Sequence, residues 1–452
     1  MKTLAFVAAP HVGTLDSWLP IAVEVRRRHP DWRLLMVLPR PERAARTLNP
    51  EDAGLKAFER ISDEILMLGI DGRFYSPTTL LKAADLSRSQ WALGVRIADL
   101  PLLRGRVGLE PRSGERFRDG RAQCVFRWLL RSVFLLRYAR HRSRRALIGS
   151  LGDSVVCTDF TKIGRGSASL VMEAFGAARQ LSIEHGLGLK VVEDDDPASV
   201  DVMRRIGART DHLRTAYWYS EQMARSSARR FGLRPDQCVV SGVPRHDRES
   251  DAWRREVSSG AHYARPVVPV ISRVTTSQNL VAASETDRLP SLFKQMMLRE
   301  IHDFCRTIGA TMLVRLHPSE VRSSSLEEIE TALQDGGSEV EWAVTSAHPS
   351  ELAEAALFAV TFSSALQVEF VAFDVPVIDL SPGAPTIPCP AARAGLAVIA
   401  QDVPTLRLAL SRIVADRDQV LCEQKAAYRA RFADPTGAVD RIIQDLEESF
   451  PD

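Results

Sequence analysis

Three polar residues in the C-terminal half of the sequence are of types that bind phosphate. His317 comes just after the apolar run 311–314, and Ser363 and Ser364 follow the apolar run 357–362. Imidazole and hydroxyl groups donate hydrogen bonds to phosphate, and a Ser-Ser pair that opens a helix adds free backbone N–H groups and the positive end of the helix dipole. These positions predict a phosphate site, with a turn histidine and an ordinary helix N-cap as the alternatives.

A second candidate group lies in the N-terminal half, where an apolar run at 180–183 leads directly into Glu184, His185 and Gly186. Histidine accepts a proton near neutral pH with little perturbation, so His185 is a candidate general base. The alternative is a structural histidine that holds the adjacent loop. The acidic run 193–196 is most simply a solvated loop, with a magnesium site as its alternative. We expect no metal and no cofactor.

Further candidates come from glycines and arginines in turns. Gly13 lies in the turn 11–14 after the first predicted strand, where backbone must approach a helix N-terminus closely. Gly242 and Arg245 belong to a glycine, proline and arginine turn at 241–247.

The elements that position these residues form an α/β pattern. Short apolar runs separated by helix-length segments indicate buried strands of parallel sheets, whose ligands bind outside the carboxyl ends of the strands. We predict two doubly wound, Rossmann-like domains, at 1–248 and 262–435, joined by the polar stretch 248–265. The helix at 436–450 is expected to pack back on the N-terminal domain. Residues 49–120 have a helical, irregular pattern that predicts no secure element.

Composition narrows the class of protein. The chain has 452 residues, a formal net charge of +2 and six cysteines without a C-x-x-C pair, so it lacks the signature of a nucleic-acid-binding protein, a zinc site or a disulfide framework. The N-terminal apolar run is short and followed by Pro10, and no stretch reaches the roughly 18 apolar residues that a bilayer span needs. We therefore expect a cytoplasmic protein.

One segment leaves two interpretations open. Residues 126–148 hold seven arginines and no acidic residue among many bulky apolar side chains. A helix of this kind lies on an anionic membrane surface, here the inner face, or is half-buried with arginines that reach water.

Four motifs in order resemble those of bacterial surface-polysaccharide transferases: Glu-His-Gly at 184–186, the turn at 240–247, Arg-Leu-His-Pro at 315–318, and Phe-Ser-Ser at 362–364 ahead of Glu369 and Val-Pro-Val-Ile at 375–378. That group includes CDP-glycerol glycerophosphotransferases and the capsule Kdo- and sialic-acid transferases that use CMP-sugars. The resemblance spans about residues 154–440 and implies the GT-B fold, two Rossmann-like domains with a cleft between them.

The resemblance also implies roles for individual residues. His317, Ser363 and Ser364 would hold the phosphate of the donor, Glu369 would face the nucleotide ribose, and His185 would activate the acceptor hydroxyl. Arg273 and Arg245 would supply positive charge near the cleft. Glu184 stands where the family has an aromatic residue or glutamine, so a share of the acid–base role for Glu184 stays open.

The expected function is metal-independent transfer of a sugar from a nucleotide-activated donor, CMP- or CDP-linked, to a hydroxyl of a surface polysaccharide or glycolipid. Glycerophosphate transfer from CDP-glycerol and nucleotide-sugar 2-epimerisation are the enzymatic alternatives. A non-catalytic glycan-assembly partner with a degenerate cleft is the alternative outside enzymes.

Overall fold

The structure is a computed structural model that describes residues 2–7, 12–39, 53–68, 74–75, 154–159, 179–184, 213–261, 263–272, 288–316, 325–333, 342–381 and 391–450. The chain divides into two compact units. The first comprises Met1–Leu48, Leu55–Ser250 and Gly437–Asp452, and the second comprises Asn49–Gly54 and Asp251–Thr436.

The first unit is built on an eight-stranded sheet in the described part of the chain. Its strands are β1 (Thr3–Val7), β2 (Arg33–Pro39), β3 (Glu64–Leu68), β4 (Phe74–Tyr75), β5 (Val155–Asp159), β6 (Arg179–Ile183), β7 (Leu213–Trp218) and β8 (Cys238–Val240). They lie in the order β4-β3-β2-β1-β5-β6-β7-β8, all parallel except for the β3–β4 pair. The chain thus winds outward from β1 in both directions, as predicted for a doubly wound sheet.

Helix α1 (Val12–Arg28) follows β1 and is fixed to the sheet by a buried tryptophan. Trp18 Nε1 donates to the backbone oxygen of Thr158 over 3.1 Å, and the Trp18 ring contacts Phe6 and Tyr217. The helix begins three residues earlier than predicted, so Gly13 lies in its first turn and not in a turn before it. Neither a Ser/Thr/Asp/Asn cap nor an acidic first turn marks that start in the sequence, which is why the start was missed.

Within residues 49–120, the predicted helical pattern agrees with the structure at Ala53–Ile61 and is wrong at Glu64–Leu68 and Phe74–Tyr75, which are strands. Helix α2 (Ala53–Ile61) is followed by β3, which pairs with β2 in parallel register from Leu35 with Glu64 to Pro39 with Leu68. The sequence of β3, Glu-Ile-Leu-Met-Leu, has a single β-branched residue and consists otherwise of strong helix formers. Pairing with β2 overrides that local preference.

The described part of the first unit also contains α3 (Glu221–Phe231) and α11 (Ala438–Ser449), the last of the described helices. Helix α11 contacts α1 through an ion pair of Asp440 with Arg28 and through a 2.7 Å contact between Glu447 and His29. Its Asp445 accepts a hydrogen bond from the Tyr217 hydroxyl on β7. The C-terminal helix is therefore built into the same unit as the N-terminal strand.

In its described residues, the second unit is built on six parallel strands. They are β9 (Val267–Ile271), β10 (Thr311–Arg315), β11 (Trp342–Thr345), β12 (Ala359–Thr361), β13 (Val377–Leu380) and β14 (Val398–Ala400), in the order β11-β10-β9-β12-β13-β14. Its helices are α4 (Ala252–Val257), α5 (Arg288–Thr307), α6 (Ser325–Leu333), α7 (Pro349–Ala355), α8 (Gln367–Ala372), α9 (Val403–Ala415) and α10 (Arg417–Arg429).

The core of the second unit follows the helical and strand periods. On α5 the buried apolar residues Met297, Leu298, Ile301 and Cys305 form one face, which packs against buried strand residues of β9 and β10. The stretch 248–265, predicted as a polar linker, is not irregular throughout, because it contains α4. Burial of Trp253, which is 1% exposed, stabilises this short helix.

Among the described helices, none is both long enough and apolar enough to cross a membrane. The stretch 126–148, for which a membrane-surface helix was one interpretation, lies outside the described residues, as does the acidic run 193–196.

We predict a pH-dependent contribution of Glu24 to the stability of α1. Hydrogen bonds from Arg27 lower the pKa of Glu24, burial opposes this shift, and a further hydrogen bond from Arg28 adds to it. Because the folded-state pKa is the lower one, this stability is present above the unfolded-state pKa of about 4.3 and is lost as the pH falls through the folded-state value. Glu24→Gln should lower the melting temperature at pH 7, and the difference should shrink below about pH 4.

Thermal melts of both proteins across this pH range check the prediction. The control is Glu221→Gln, since Glu221 and its partner Arg225 are exposed and such pairs contribute at most about 0.5 kcal/mol. A Glu24→Gln effect that is constant from pH 7 to pH 3 would show that the carboxylate charge is not what stabilises the helix.

Candidate functional site

Strand order places the Ser363 loop at the topological switch point of the second sheet. The chain runs from β9 outward to β10 and β11, then returns to the other side of β9 for β12, β13 and β14. The crevice outside the carboxyl ends of the two strands at such a reversal is where open α/β sheets bind ligands. Ser272 follows β9 and Ser363 follows β12, and the Phe362 amide donates to Ile271 O over 3.0 Å.

A fully buried carboxylate holds this loop. Asp379 on β13 is 0% exposed and accepts three hydrogen bonds at 2.8–2.9 Å: its Oδ1 receives the Thr361 hydroxyl and the Ser363 amide, and its Oδ2 receives the Ser381 hydroxyl. The parallel register, which sets Thr361 beside Asp379, creates this geometry. Because a buried charge is tolerated when donors surround it, the three bonds couple the Ser363 loop to the sheet.

Ser363 adopts a backbone conformation that is unusual for serine. Its φ angle of 47° lies in the left-handed region, which costs a residue with a Cβ about 1–3 kcal/mol. Two bonds compensate for this cost: the amide bond to Asp379, and a 3.0 Å bond between the Ser363 and Ser381 hydroxyls. The strain and its compensation lie at the switch point, where a loop must turn sharply to face a ligand.

Ser364 is held differently from Ser363, and neither residue directly opens a helix. The Ser364 hydroxyl accepts from the Leu366 amide over 3.3 Å, and its backbone oxygen accepts from the Gln367 side chain over 2.8 Å. Helix α8 begins only at Gln367. The prediction that the Ser-Ser pair opens a helix is therefore wrong, and the Ser363 amide is bound to Asp379.

Glu369 lies in the first turn of α8 and is 3% exposed. The other predicted donor residues of this unit, His317 and Arg273, lie outside the described residues. Their neighbours are placed, however, since Arg315 ends β10 and Ser272 follows β9. The Ser272 amide donates to Arg315 O over 2.9 Å, so the described residues next to Arg273 and His317 lie side by side at this edge of the sheet.

The corresponding edge of the first sheet carries a second cluster of polar residues. Glu184 follows β6 and is 3% exposed, and its backbone oxygen accepts a 2.8 Å bond from the Tyr219 hydroxyl. The same hydroxyl lies 3.3 Å from Ser17 Oγ on α1. His185 is the next residue after Glu184 and lies outside the described residues.

Arg245 is buried beside α1. It is 5% exposed, and its Nη1 lies 3.8 Å from Asp16 Oδ2. Arg245 belongs to a short 3₁₀ turn, Pro244–His246, that follows the left-handed Gly242, whose φ angle of 77° suits glycine. The described structure thus brings Glu184 and Arg245 to the carboxyl edge of one sheet, and Ser363, Ser364 and Glu369 to that of the other.

The turn at 241–247 also has a structural role that the sequence did not reveal. Asp247 is 0% exposed and accepts from the amides of Glu249, Gly437 and Val439 at 3.0–3.3 Å. Arg441 Nη2 donates to Ser241 O over 2.6 Å. These bonds attach the N-terminus of α11 to the turn that carries Gly242 and Arg245.

Sequence reasoning missed Asp379 and Ser381, and it also missed Tyr219, Asp16 and Asp247. One signal was present: Asp379 is an acidic residue inside the apolar strand Val-Ile-Asp-Leu, where an unpaired charge would be costly. No comparable signal marks Tyr219, whose role depends on a contact with a residue 35 positions earlier in the chain.

Comparison with known proteins establishes the fold. No protein-family model matches the chain, and no curated protein does. Among solved structures, a protein from Listeria monocytogenes provisionally named UDP-N-acetylglucosamine 2-epimerase has 13% identity and a TM-score of 0.54, covering 99% of this chain and 96% of that one.

Two further structures give similar agreement. S. aureus MnaA, solved with UDP, has 12% identity and a TM-score of 0.51, with 99% and 96% coverage. The UDP-GlcNAc 2-epimerase from Methanocaldococcus jannaschii has 12% identity and a TM-score of 0.50, with 99% and 100% coverage. The two parallel-sheet α/β units are those of the GT-B fold, which confirms the predicted fold class.

We predict that Asp247→Ala detaches α11 from the 241–247 turn. The substitution leaves the buried Val439 amide and two part-buried amides without their acceptor, which costs about 1–3 kcal/mol of unfolding free energy. Urea denaturation should show this loss, and peptides covering Ala438–Ser449 should exchange their amide hydrogens faster.

Asp236→Ala is the matched control, because the Asp236 side chain is 70% exposed and pairs with the exposed Arg234. It should change stability by no more than about 0.5 kcal/mol. Unchanged exchange in α11 of the Asp247→Ala protein would show that these hydrogen bonds do not hold the helix.

Proposed function

We propose that this protein is a glycosyltransferase that moves a sugar from a nucleotide-activated donor to a hydroxyl of a bacterial surface polysaccharide or glycolipid. The observation that supports it most directly is the polar loop at the switch point of the second sheet, held in a strained conformation by Asp379. A pre-built, strained loop at this place is an expected feature of a ligand site.

In this proposal the second unit holds the donor. Departure of the nucleotide develops negative charge on a phosphate oxygen, which preorganised donors stabilise. The Ser364 hydroxyl and the His317 imidazole take this role, with Arg273 supplying positive charge. Glu369 faces the ribose of the nucleotide.

The first unit supplies the base. His185 accepts the proton of the acceptor hydroxyl as the new glycosidic bond forms, and the nucleotide leaves with its phosphate. Glu184 assists His185 from the neighbouring position. Arg245 adds positive charge at this edge, and Gly13 and Gly242 shape the backbone around it.

Two observations bear on the identity of the nucleotide, and they favour different ones: cytidine nucleotides and UDP. The sequence motifs resemble those of enzymes that use CMP-sugars or CDP-glycerol. Structures with the same fold were solved for proteins named as UDP-N-acetylglucosamine 2-epimerases and for S. aureus MnaA with UDP. We retain the cytidine donor as the specific proposal and test it against the others.

A 2-epimerase is the second candidate, and the names of the similar structures favour it. The two reactions differ in what they require. An epimerase converts the nucleotide-sugar alone, whereas a transferase needs an acceptor. Incubation of the protein with UDP-GlcNAc and no acceptor, followed by separation of the sugar isomers, distinguishes them: an isomerised sugar supports the epimerase and contradicts the transferase.

We expect the protein to melt at a higher temperature in the presence of one nucleotide of the panel CMP, CDP, UDP, GDP and ADP. At a hundred times the dissociation constant, a bound nucleotide stabilises the native state by about 2.7 kcal/mol. The proposal predicts the largest shift with CMP or CDP. A larger shift with UDP would replace the cytidine donor, and no shift with any nucleotide would favour a non-catalytic assembly partner.

We also predict that His317→Ala and His185→Ala each lower turnover about a hundredfold, because one removes a charge-stabilising donor and the other a general base. Steady-state kinetics with the nucleotide-sugar identified above measure both. His29→Ala serves as control, since His29 follows the C-terminal end of α1, at the opposite end from Ser17. Near-normal turnover of either variant would remove that histidine from the mechanism.

A further inference from the structure

The two adjacent serines of the Ser363 loop differ in their hydrogen bonds: the Ser363 hydroxyl is a donor, and the Ser364 hydroxyl is an acceptor. A serine hydroxyl has one proton and can accept through its lone pairs. The Ser381 hydroxyl donates its proton to Asp379 Oδ2 over 2.8 Å. It therefore cannot also donate to Ser363, which lies 3.0 Å away, so Ser363 must be the donor in that bond.

The result is a directed chain that runs from the Ser363 hydroxyl through the Ser381 hydroxyl to the Asp379 carboxylate. The direction is fixed at the buried end, because the single Ser381 proton is donated to Asp379 Oδ2. The bonds to Asp379 from the Thr361 hydroxyl and the Ser363 amide do not involve the hydroxyls of this chain. Because its proton is donated to Ser381, the half-buried Ser363 hydroxyl can form further hydrogen bonds only as an acceptor.

Ser364 has the opposite character. Its oxygen accepts the Leu366 amide, and its own proton has no acceptor among the described residues. That proton is available for a ligand oxygen. The same loop therefore presents an acceptor at Ser363 and a donor at Ser364.

We propose that this loop recognises a phosphate next to a sugar hydroxyl: Ser364 donates to a phosphate oxygen, and Ser363 accepts a hydrogen bond from the hydroxyl. Asp379 is a positioning residue that sets the direction of the Ser363 bond. The inference rests on the proposed function in placing the ligand at the switch point, and it narrows the ligand to a phosphosugar in which both groups are adjacent. It replaces the expectation that both serines hold phosphate.

The chain can be reversed by a change of one functional group. In Asp379→Asn the amide oxygen still accepts from Thr361 and the Ser363 amide, but the amide nitrogen donates to Ser381. Ser381 then donates to Ser363, which frees the Ser363 proton to point outward. Ser381→Ala also frees the Ser363 proton, because it removes the hydroxyl that accepts from Ser363. Unlike Asp379→Asn, it keeps the carboxyl group of Asp379.

The probes are inorganic phosphate and ribose 5-phosphate, which share a phosphate and differ in the sugar hydroxyls. Titration calorimetry or ligand-observed NMR gives the ratio of their dissociation constants. One hydrogen bond contributes about 1 kcal/mol, or about fivefold in affinity. We expect wild type to prefer ribose 5-phosphate, and both variants to lose about fivefold of this preference while they bind phosphate more tightly.

Two controls distinguish the direction of the Ser363 hydrogen bond from effects of the Asp379 charge and from effects on folding. Thr361→Val removes a donor to Asp379 outside the chain and should leave the ratio unchanged. Ser363→Gly tolerates the positive φ angle and lacks the hydroxyl, so Asp379→Asn should have no further effect on the ratio in that background.

Three results would overturn the inference. The first is a gain in phosphate affinity that Asp379→Asn produces equally in the Ser363→Gly background. Such a gain would come from the loss of the Asp379 charge and not from the Ser363 hydroxyl. Another is an unchanged ratio in Ser381→Ala, and the third is binding of neither probe by any of these proteins. The proposed function fails separately, when no nucleotide or nucleotide-sugar binds while the ratio still shifts as expected.

Discussion

The burial of the Asp379 carboxylate is the constraint on which the candidate site depends. A carboxylate inside a sheet is costly unless donors surround it, and each of its donors comes from a strand or from the loop at the strand's end. The same bonds that satisfy the charge hold Ser363 in its left-handed conformation. The loop is thus shaped by the core of its unit and not by its own local sequence.

The first unit uses a related device. Asp247 is as buried as Asp379 and also accepts from three donors, but here all three are backbone amides. These amides belong to the turn after β8 and to the start of α11, where helix N–H groups need acceptors. One acidic residue therefore joins the edge of the sheet to the C-terminal segment, and the bound Arg441 strengthens that connection.

Much of the fold could be predicted because buried parallel strands are continuous apolar runs. The runs that became β9, β10 and β13 were found in this way. Strands β11 and β3 were missed: β11, at the edge of its sheet, has only half-buried and exposed residues, and β3 consists largely of strong helix formers. Their identity depends on pairing with a neighbour, and a local sequence pattern does not contain that information.

The position of the candidate site could be predicted from the sequence, but the hydrogen bonds of its residues could not. The position of Ser363 followed from the end of an apolar run, but the direction of its hydrogen bond depends on Asp379 and Ser381, which lie 16 and 18 residues later. Those residues become neighbours only through the pairing of β12 with β13. The direction in which the Ser363 hydroxyl donates is thus determined by the register between β12 and β13.

In the proposed function the first unit decides between transfer and epimerisation, because both reactions would use the proposed nucleotide site of the second unit in the same way. Transfer needs one base for the acceptor hydroxyl, whereas epimerisation acts on a carbon of the bound sugar and needs groups arranged around that sugar. At the described edge of the first sheet, Asp16 contacts Arg245, and the backbone oxygen of Glu184 is bound by Tyr219. In the proposed function the base is His185, next to Glu184, and the pairing of Asp16 with Arg245 favours transfer over epimerisation, because a paired carboxylate is less available to act on a bound sugar.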